Sequence, residues 1–260
     1  MHKISGVFSA ALTPVKSDLS INKDLYLRHC QYLMREGHDG LAIFGTTGEA
    51  NSFSVQEKKD HIDFLISNRI NPKILMPGTG SSSLKEAIDM TKHASSNKVR
   101  AVLLQPPFYY KNVTDEGVIN YYRHLIENVG DSELHYVLYH IPQNTYVPIS
   151  FKTIETLLKL YPNNIVGLKD SSGDGERMMK VIKYFNNFSV FCGHDSLALS
   201  ISKRGGAGAI TAGTNVCGKL LSFILKNYKN ENSIKNFADL QNLLQQIRKV
   251  ITSHEPISLM

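Results

Sequence analysis

Short apolar runs rich in β-formers alternate along the chain with longer stretches in which apolar residues recur at helical spacing. This is the pattern of parallel βα units. Strands are predicted at residues 6–12, 40–44, 73–76, 101–104, 135–139, 165–169, 190–192 and 209–211. Continuous apolar runs such as Ala101-Val102-Leu103-Leu104 suit parallel strands covered on both faces. The count of about eight predicts an α/β fold, a (β/α)₈ TIM barrel, with a doubly wound sheet as the rival architecture.

Helix starts are legible between the strands. Ser54-Val55-Gln56-Glu57 and Ser83-Leu84-Lys85-Glu86 have the Ser-x-x-Glu form in which each end satisfies a free backbone N–H of the first turn. Asn22, Thr114, Ser150 and Asp195 stand just before periodic segments and are predicted as simpler N-caps. Beyond about residue 230 the pattern is purely helical, with Phe237, Leu240, Leu243, Leu244 and Ile247 on one stripe. A catalytic barrel over 1–229 and a C-terminal helical extension over 230–260 follow from this.

Apolar residues make up 42% of the 260 and charged residues 20%, which suits a folded globular protein. The net charge of +6 comes from basic residues dispersed along the chain, as in Lys58-Lys59 and Arg248-Lys249, without the aromatic-interleaved stripe of a nucleic-acid binder. Cys30, Cys192 and Cys217 are far apart and lack a metal-ligand or disulfide spacing, so buried thiols are expected. The start Met1-His2-Lys3-Ile4-Ser5-Gly6 has no export pattern, and no apolar run reaches membrane-spanning length. The expected location is the cytoplasm, with no membrane and no nucleic-acid partner.

The stretch Ile165-Val166-Gly167-Leu168-Lys169-Asp170-Ser171 is an apolar strand that ends in a lysine. Strict alternation places Ile165, Gly167 and Lys169 on one face, with Gly167 leaving room beneath the lysine stem. Burial among apolar neighbours disfavours an ammonium, so Lys169 is expected to supply a neutral amine that attacks a ketone. The resulting imine is an electron sink, which lets the adjacent carbon lose a proton or a bonded fragment. A lysine snorkelling from a strand end is the bland alternative. Tyr139 closes the preceding strand, just before His140-Ile141-Pro142, and neighbouring parallel strands lie ~4.8 Å apart, so its phenol is placed to shuttle protons at the imine. A core tyrosine with a satisfied hydroxyl is its alternative.

Gly45-Thr46-Thr47-Gly48-Glu49 follows another strand, and its backbone N–H groups and hydroxyls suit a carboxylate, unless it is a plain strand-to-helix turn. Gly193-His194-Asp195 and Gly205-Gly206-Ala207-Gly208-Ala209-Ile210 add small residues at the same mouth and have no dinucleotide-binding spacing. His135 and His140 are predicted on opposite sides of a strand end, so no metal is called for.

With Gly45-Thr46-Thr47-Gly48-Glu49, Tyr139-His140-Ile141-Pro142, Gly167-Leu168-Lys169-Asp170-Ser171 and Gly193-His194-Asp195 in this order, the chain resembles the dihydrodipicolinate synthase and N-acetylneuraminate lyase family. The resemblance implies a class I aldolase-type lyase with Lys169 as the Schiff-base residue and Tyr139 as proton relay. It implies Thr46, Thr47, Gly193 and Ile210 about a 2-keto acid, and no cofactor besides the covalent imine. It also implies a homo-oligomer, dimer or tetramer, in which a tyrosine from a neighbouring subunit completes a relay through Thr47. Pro107-Phe108-Tyr109-Tyr110 resembles its source; Tyr109 is selected by counting from Pro107, Tyr110 by counting back from Thr114.

True synthases of the family carry an arginine where this chain has Asn144, two residues beyond the proline of Tyr-x-x-Pro. An amide does not reproduce bidentate pairing with a second carboxylate. The expected substrate is therefore pyruvate or a 2-keto-3-deoxy sugar acid. The synthase reaction, condensing pyruvate with aspartate semialdehyde, is the runner-up, and a non-catalytic keto-acid binder is third. Relatives usually continue past Glu255-Pro256-Ile257 with further helices, so the end of the chain looks shortened.

Overall fold

The computed structural model describes residues 3–253. Seven parallel strands alternate with helices: β1 (Gly6–Ala10), β2 (Gly40–Ala42), β3 (Val102–Leu104), β4 (Tyr136–His140), β5 (Ile165–Asp170), β6 (Ser189–Cys192) and β7 (Gly208–Thr211). Their order is β2-β1-β7-β6-β5-β4-β3, so the sheet curls into a ring with one gap, between β2 and β3.

Residues 75–79 fill that gap. Met76 N donates to Leu41 O and Gly78 N to Ile43 O, both at 2.8 Å, while on the other side Leu103 N donates to Pro77 O at 2.9 Å and Thr79 N to Leu103 O at 3.1 Å. The barrel is thus closed, but by isolated bridges, Leu41 with Leu75 and Gly78 with Leu103, and not by an eighth strand. This corrects the strand predicted at 73–76. Asn71 caps a 3₁₀ turn at Pro72–Ile74 that starts on proline, and Pro77 has no N–H to donate, so no regular ladder can form there.

The helices are α1 (Lys23–Arg35), α2 (Val55–Ser67), α3 (Leu84–Ser96), α4 (Asp115–Val129), α5 (Pro142–Thr145), α6 (Phe151–Leu160), α7 (Gly175–Tyr184), α8 (Asp195–Lys203), α9 (Thr214–Asn227) and α10 (Phe237–Thr252). Asn22, Ser54, Thr114 and Ser150 cap α1, α2, α4 and α6 as predicted, and the Ser54–Glu57 box closes in both directions. The second box is half formed: Ser83 Oγ accepts from Glu86 N at 3.4 Å, but the Glu86 carboxylate accepts from Ser81 Oγ instead. Asp195 is the first residue of α8 and not its cap, because its carboxylate is held elsewhere, as described below.

Alternation along the strands separates two apolar layers. An inner cluster fills the ring, with Phe8, Met76, Leu103, Val137, Tyr139, Phe191 and Ile210 among its members. An outer layer joins the sheet to the helices and includes Leu41, Val102, Leu138, Leu168 and Val190 against Tyr26, Leu33, Ile62 and Tyr122. Phe8 and Phe191 meet edge to face at 5.6 Å across the interior. The helix α10 packs on α8 and α9 through Phe237, Leu240, Leu244 and Ile247. Leu243 is 46% exposed and lies off that seam, contrary to the predicted stripe. All three cysteines are buried free thiols. Among the described residues no helix is long and apolar enough to cross a membrane. Met1, His2 and the segment Glu255-Pro256-Ile257 lie outside the described residues.

Candidate active site

Tyr139 and Lys169 are register partners at the C-terminal ends of β4 and β5. Both are 4% exposed, and Lys169 Nζ stands 4.1 Å from the centroid of the Tyr139 ring. The pairing depends on an irregularity: Tyr136 pairs with Ile165, but Val137 pairs with Gly167, so β5 carries one extra residue at Val166. Without that shift Tyr139 would sit beside Leu168, which faces the outer layer.

The same bulge overturns the predicted common face of Ile165, Gly167 and Lys169. Ile165 belongs to the outer layer, whereas Lys169 lies against inner-layer Tyr139. Gly167 has a different task from clearing the lysine stem. A Cβ there would come 2.4 Å from Ser189 O, so the glycine allows close approach of β6.

The threonine loop reaches the pair from across the mouth. Thr46 Oγ1 lies 3.2 Å from Tyr139 Oη, within hydrogen-bond distance. Phe44, just before the loop, is held at φ +52, a left-handed conformation that costs a bulky residue of order 1–3 kcal/mol. Its carbonyl packs on Gly78, where a Cβ would be only 2.2 Å away. Thr13 Oγ1 donates to Gly48 O at 2.8 Å, and the Glu49 and Ala50 amides are used inside the turn, bonding to Thr46 O and Gly45 O. The half-buried Thr47 sits in the same loop.

Thr46, Tyr139 and Asn144 line a cavity of about 240 Å³, together with Phe44, Gly78, Leu103, Gln105, Asn51 and Glu49. Glu49 is the one ionisable carboxylate among its lining residues, and the lining includes no lysine or arginine. Lys169 touches this cavity's Tyr139 from the ring face. Ile210 lies in the inner layer with Tyr139. Gly193 seats the turn after β6 on the end of β5: its N donates to Asp170 O at 2.8 Å, and a Cβ would fall 2.1 Å from Ser171 Oγ. Tyr109 and Tyr110 are brought to no wall of the cavity within one chain; they are 70% and 78% exposed and meet each other edge to face at 5.1 Å.

The carboxylate next to the lysine, Asp170, is fully buried and paired with Arg177. It also accepts from Ser172 N at 2.9 Å and Ser172 Oγ at 2.6 Å. On β4, His140 Nδ1 accepts from Ile149 N at 3.1 Å. Burial, and then the nearby Arg177 charge, push the His140 pKa down to about 4. Gln105 and Asn51 were not singled out from the sequence. Gln105 directly follows a predicted strand, and its place at a C-terminal barrel end was the available signal. Asn51 lies in a single 3₁₀ turn, Ala50–Ser52, too short for any periodicity to mark.

Residues 3–260 match the model of the Dihydrodipicolinate synthetase family. A 4-hydroxy-tetrahydrodipicolinate synthase of Pelagibacter ubique is 34% identical over 234 residues, 90% of this chain and 77% of that protein. Two solved structures superpose with TM-scores of 0.86. One is a 2-keto 3-deoxygluconate aldolase from Picrophilus torridus, 25% identical, covering 96% of this chain and 88% of the other. The second is CdNal from Clostridium difficile in complex with mannosamine, 26% identical, covering 97% and 85%.

Proposed function

Since the chain belongs to the dihydrodipicolinate synthetase family, whose members are lyases of the class I aldolase type, we propose that it works through an imine on Lys169. The single observation that carries this reading is the Lys169 amine 4.1 Å over the Tyr139 ring, with Thr46 on the phenol oxygen.

In the cleavage direction, Nζ in its neutral form adds to C2 of a 2-keto acid, and a proton delivered from water to the carbinolamine hydroxyl lets water leave, which gives the protonated imine. Tyr139 Oη takes the proton from the C4 hydroxyl as it passes its own proton along the relay, and the C3–C4 bond breaks. The bonding pair moves into the imine to form an enamine, and an aldehyde departs. Protonation at C3 and hydrolysis release pyruvate and return the amine. Because the imine itself is the electron sink, no external cofactor is required. Thr46 and Thr47 hold the keto-acid carboxylate, with Gly193 and Ile210 shaping its surroundings. Tyr109 or Tyr110 from a second copy completes the relay through Thr47 in a cytoplasmic dimer or tetramer.

The cavity wall favours a 2-keto-3-deoxy sugar acid. Asn144 stands at that wall with Gln105 and Asn51, groups that hydrogen-bond hydroxyls and carry no charge. A second carboxylate would meet amides there instead of a guanidinium. Condensation of pyruvate with aspartate semialdehyde is the second reading, supported by the 34% identical synthase. Pyruvate with borohydride is expected to leave an irreversible mass adduct on Lys169 that a Lys169→Ala variant lacks; absence of the adduct in the unaltered chain overturns the mechanism. A panel of aspartate semialdehyde with pyruvate, N-acetylneuraminate and 2-keto-3-deoxy sugar acids then separates the substrates. Appreciable synthase turnover overturns the reading of Asn144, and binding without any turnover marks a keto-acid binder.

A further inference from the structure

A second buried carboxylate stands behind the barrel mouth and takes no part in the steps above. Asp195, at the start of α8, is 2% exposed, and both of its oxygens are engaged. Thr211 Oγ1, at the end of β7, donates to Oδ1, and the Arg248 guanidinium donates to Oδ2 at 3.0 Å. Arg248 lies on α10, 53 positions further along the chain, with its side chain 19% exposed. A carboxylate this deeply buried requires a counter-charge and hydrogen bonds to remain ionised. The site is shaped around it: a Cβ on Gly213 would come 2.6 Å from Asp195 Oδ2.

From Asp195 the structure leads directly to the lysine. Residues 193 and 194, which precede it, are bonded to the end of β5. Gly193 N donates to Asp170 O at 2.8 Å, and His194 Nε2 lies 3.3 Å from Ser171 O. Asp170 and Ser171 follow Lys169 without a break. A second branch runs into the ring itself. Thr214 Oγ1 donates to Thr211 O at 2.5 Å and lies 2.9 Å from Ser9 Oγ on β1.

We propose that Arg248 is a positioning residue for Lys169, acting through Asp195 and the turn on which the end of β5 is seated. This rests on the imine reading above. The appended helix then serves the chemistry as well as covering the outer layer, because its guanidinium sets the depth and angle of the turn behind the reacting amine. Displacements of about 1 Å far from the reacting atoms can cost a rate of up to about 10²-fold.

The test uses the full chain, with pyruvate and borohydride as the probe and the rate of adduct formation at Lys169 as the readout. Arg248→Met is expected to slow trapping about tenfold at saturating pyruvate, with a much smaller change in the half-saturating concentration. Arg248→Lys, which keeps the charge but loses the fork, is expected to recover part of the rate. A lowered melting temperature with an unchanged trapping rate overturns the proposal. Where Arg248→Met fails to fold because Asp195 is left unpaired, the Arg248→Met/Asp195→Asn double variant decides, since it buries no net charge. Slow trapping in that variant supports the proposal, and trapping at the unaltered rate overturns it. No adduct in the unaltered chain overturns the imine reading together with this proposal. An adduct there that forms equally fast in a folded Arg248→Met variant overturns this proposal alone.

Discussion

From β4 round to β7 the strands have four to six residues and pair with their neighbours in ladders broken only by the bulge in β5, whereas β2 and β3 have three residues each and the gap between them is crossed by isolated bridges. Lys169 and Tyr139 stand on the well-paired side. The cavity reaches from Tyr139 and Asn144 into the other, where Phe44, Thr46, Gly78, Leu103 and Gln105 line it. The difference separates two needs. Reacting groups must be held within a fraction of an ångström, which a dense ladder provides. Room for a substrate arises where the ladder is interrupted, here by Pro77, by the glycines at 78 and 80, and by a strained Phe44.

The largest effect expected from this division is at the amine. On the proposed mechanism Lys169→Ala should lower turnover by at least about 10³-fold, because the amine that would form the imine is lost. Its melting temperature should stay close to that of the unaltered chain, which a thermal scan beside the kinetic assay would check. Tyr139→Phe keeps the ring under the amine and removes the hydroxyl, and with it the proposed proton relay and the contact to Thr46. A drop in kcat of about 10²–10³-fold with retained borohydride trapping is expected; loss of trapping would show that the hydroxyl is needed for imine formation as well.

The well-paired side should also respond to acid. His140 titrates at about 4 in the folded chain, against an ordinary value near 6.5, so the unfolded chain binds the proton first. Stability is therefore complete above about pH 6.5 and falls as the pH drops towards 4, by up to about 3 kcal/mol. His140→Asn keeps an acceptor for Ile149 N and should flatten this part of a melting-temperature profile; an unchanged profile would show that other groups account for it.

The cavity side is tested by its glycines. Gly78→Ala drives a methyl into Phe44 O and should cost about 2 kcal/mol, or roughly 4–8 °C in Tm. Gly45→Ala meets nothing within 4 Å and should stay within about 0.5 kcal/mol, although it belongs to the motif. Equal effects at the two positions would dissolve the contrast.

Much of the site could be read from residue order. Tyr139 and Lys169 close apolar runs, and strand ends at one face of a barrel converge. The predicted contact between them is present, yet β5 does not alternate strictly, because the bulge at Val166 resets which of its residues face inward. Thr46 was expected only as a carboxylate binder at the mouth; its place on Tyr139 Oη, and the support beneath its loop from Gly78 under Phe44 and Thr13 on Gly48, involve segments far away in sequence. Asp195 was misread as a cap because its neighbours in sequence look like a helix start, whereas its partners are Thr211 and Arg248.

The sequence by itself determined the order of strands and helices, five of the side-chain caps and the two strand-end residues, Tyr139 and Lys169, that meet at the barrel mouth. These depend on contacts within a few residues or on simple period-two and period-3.6 repeats. Only the tertiary structure decided the register between β4 and β5, the closure of the ring through residues 75–79 and the partner of Asp195. Each of these is a match between backbone segments distant in the chain, where one inserted residue reverses every facing and nothing local announces it.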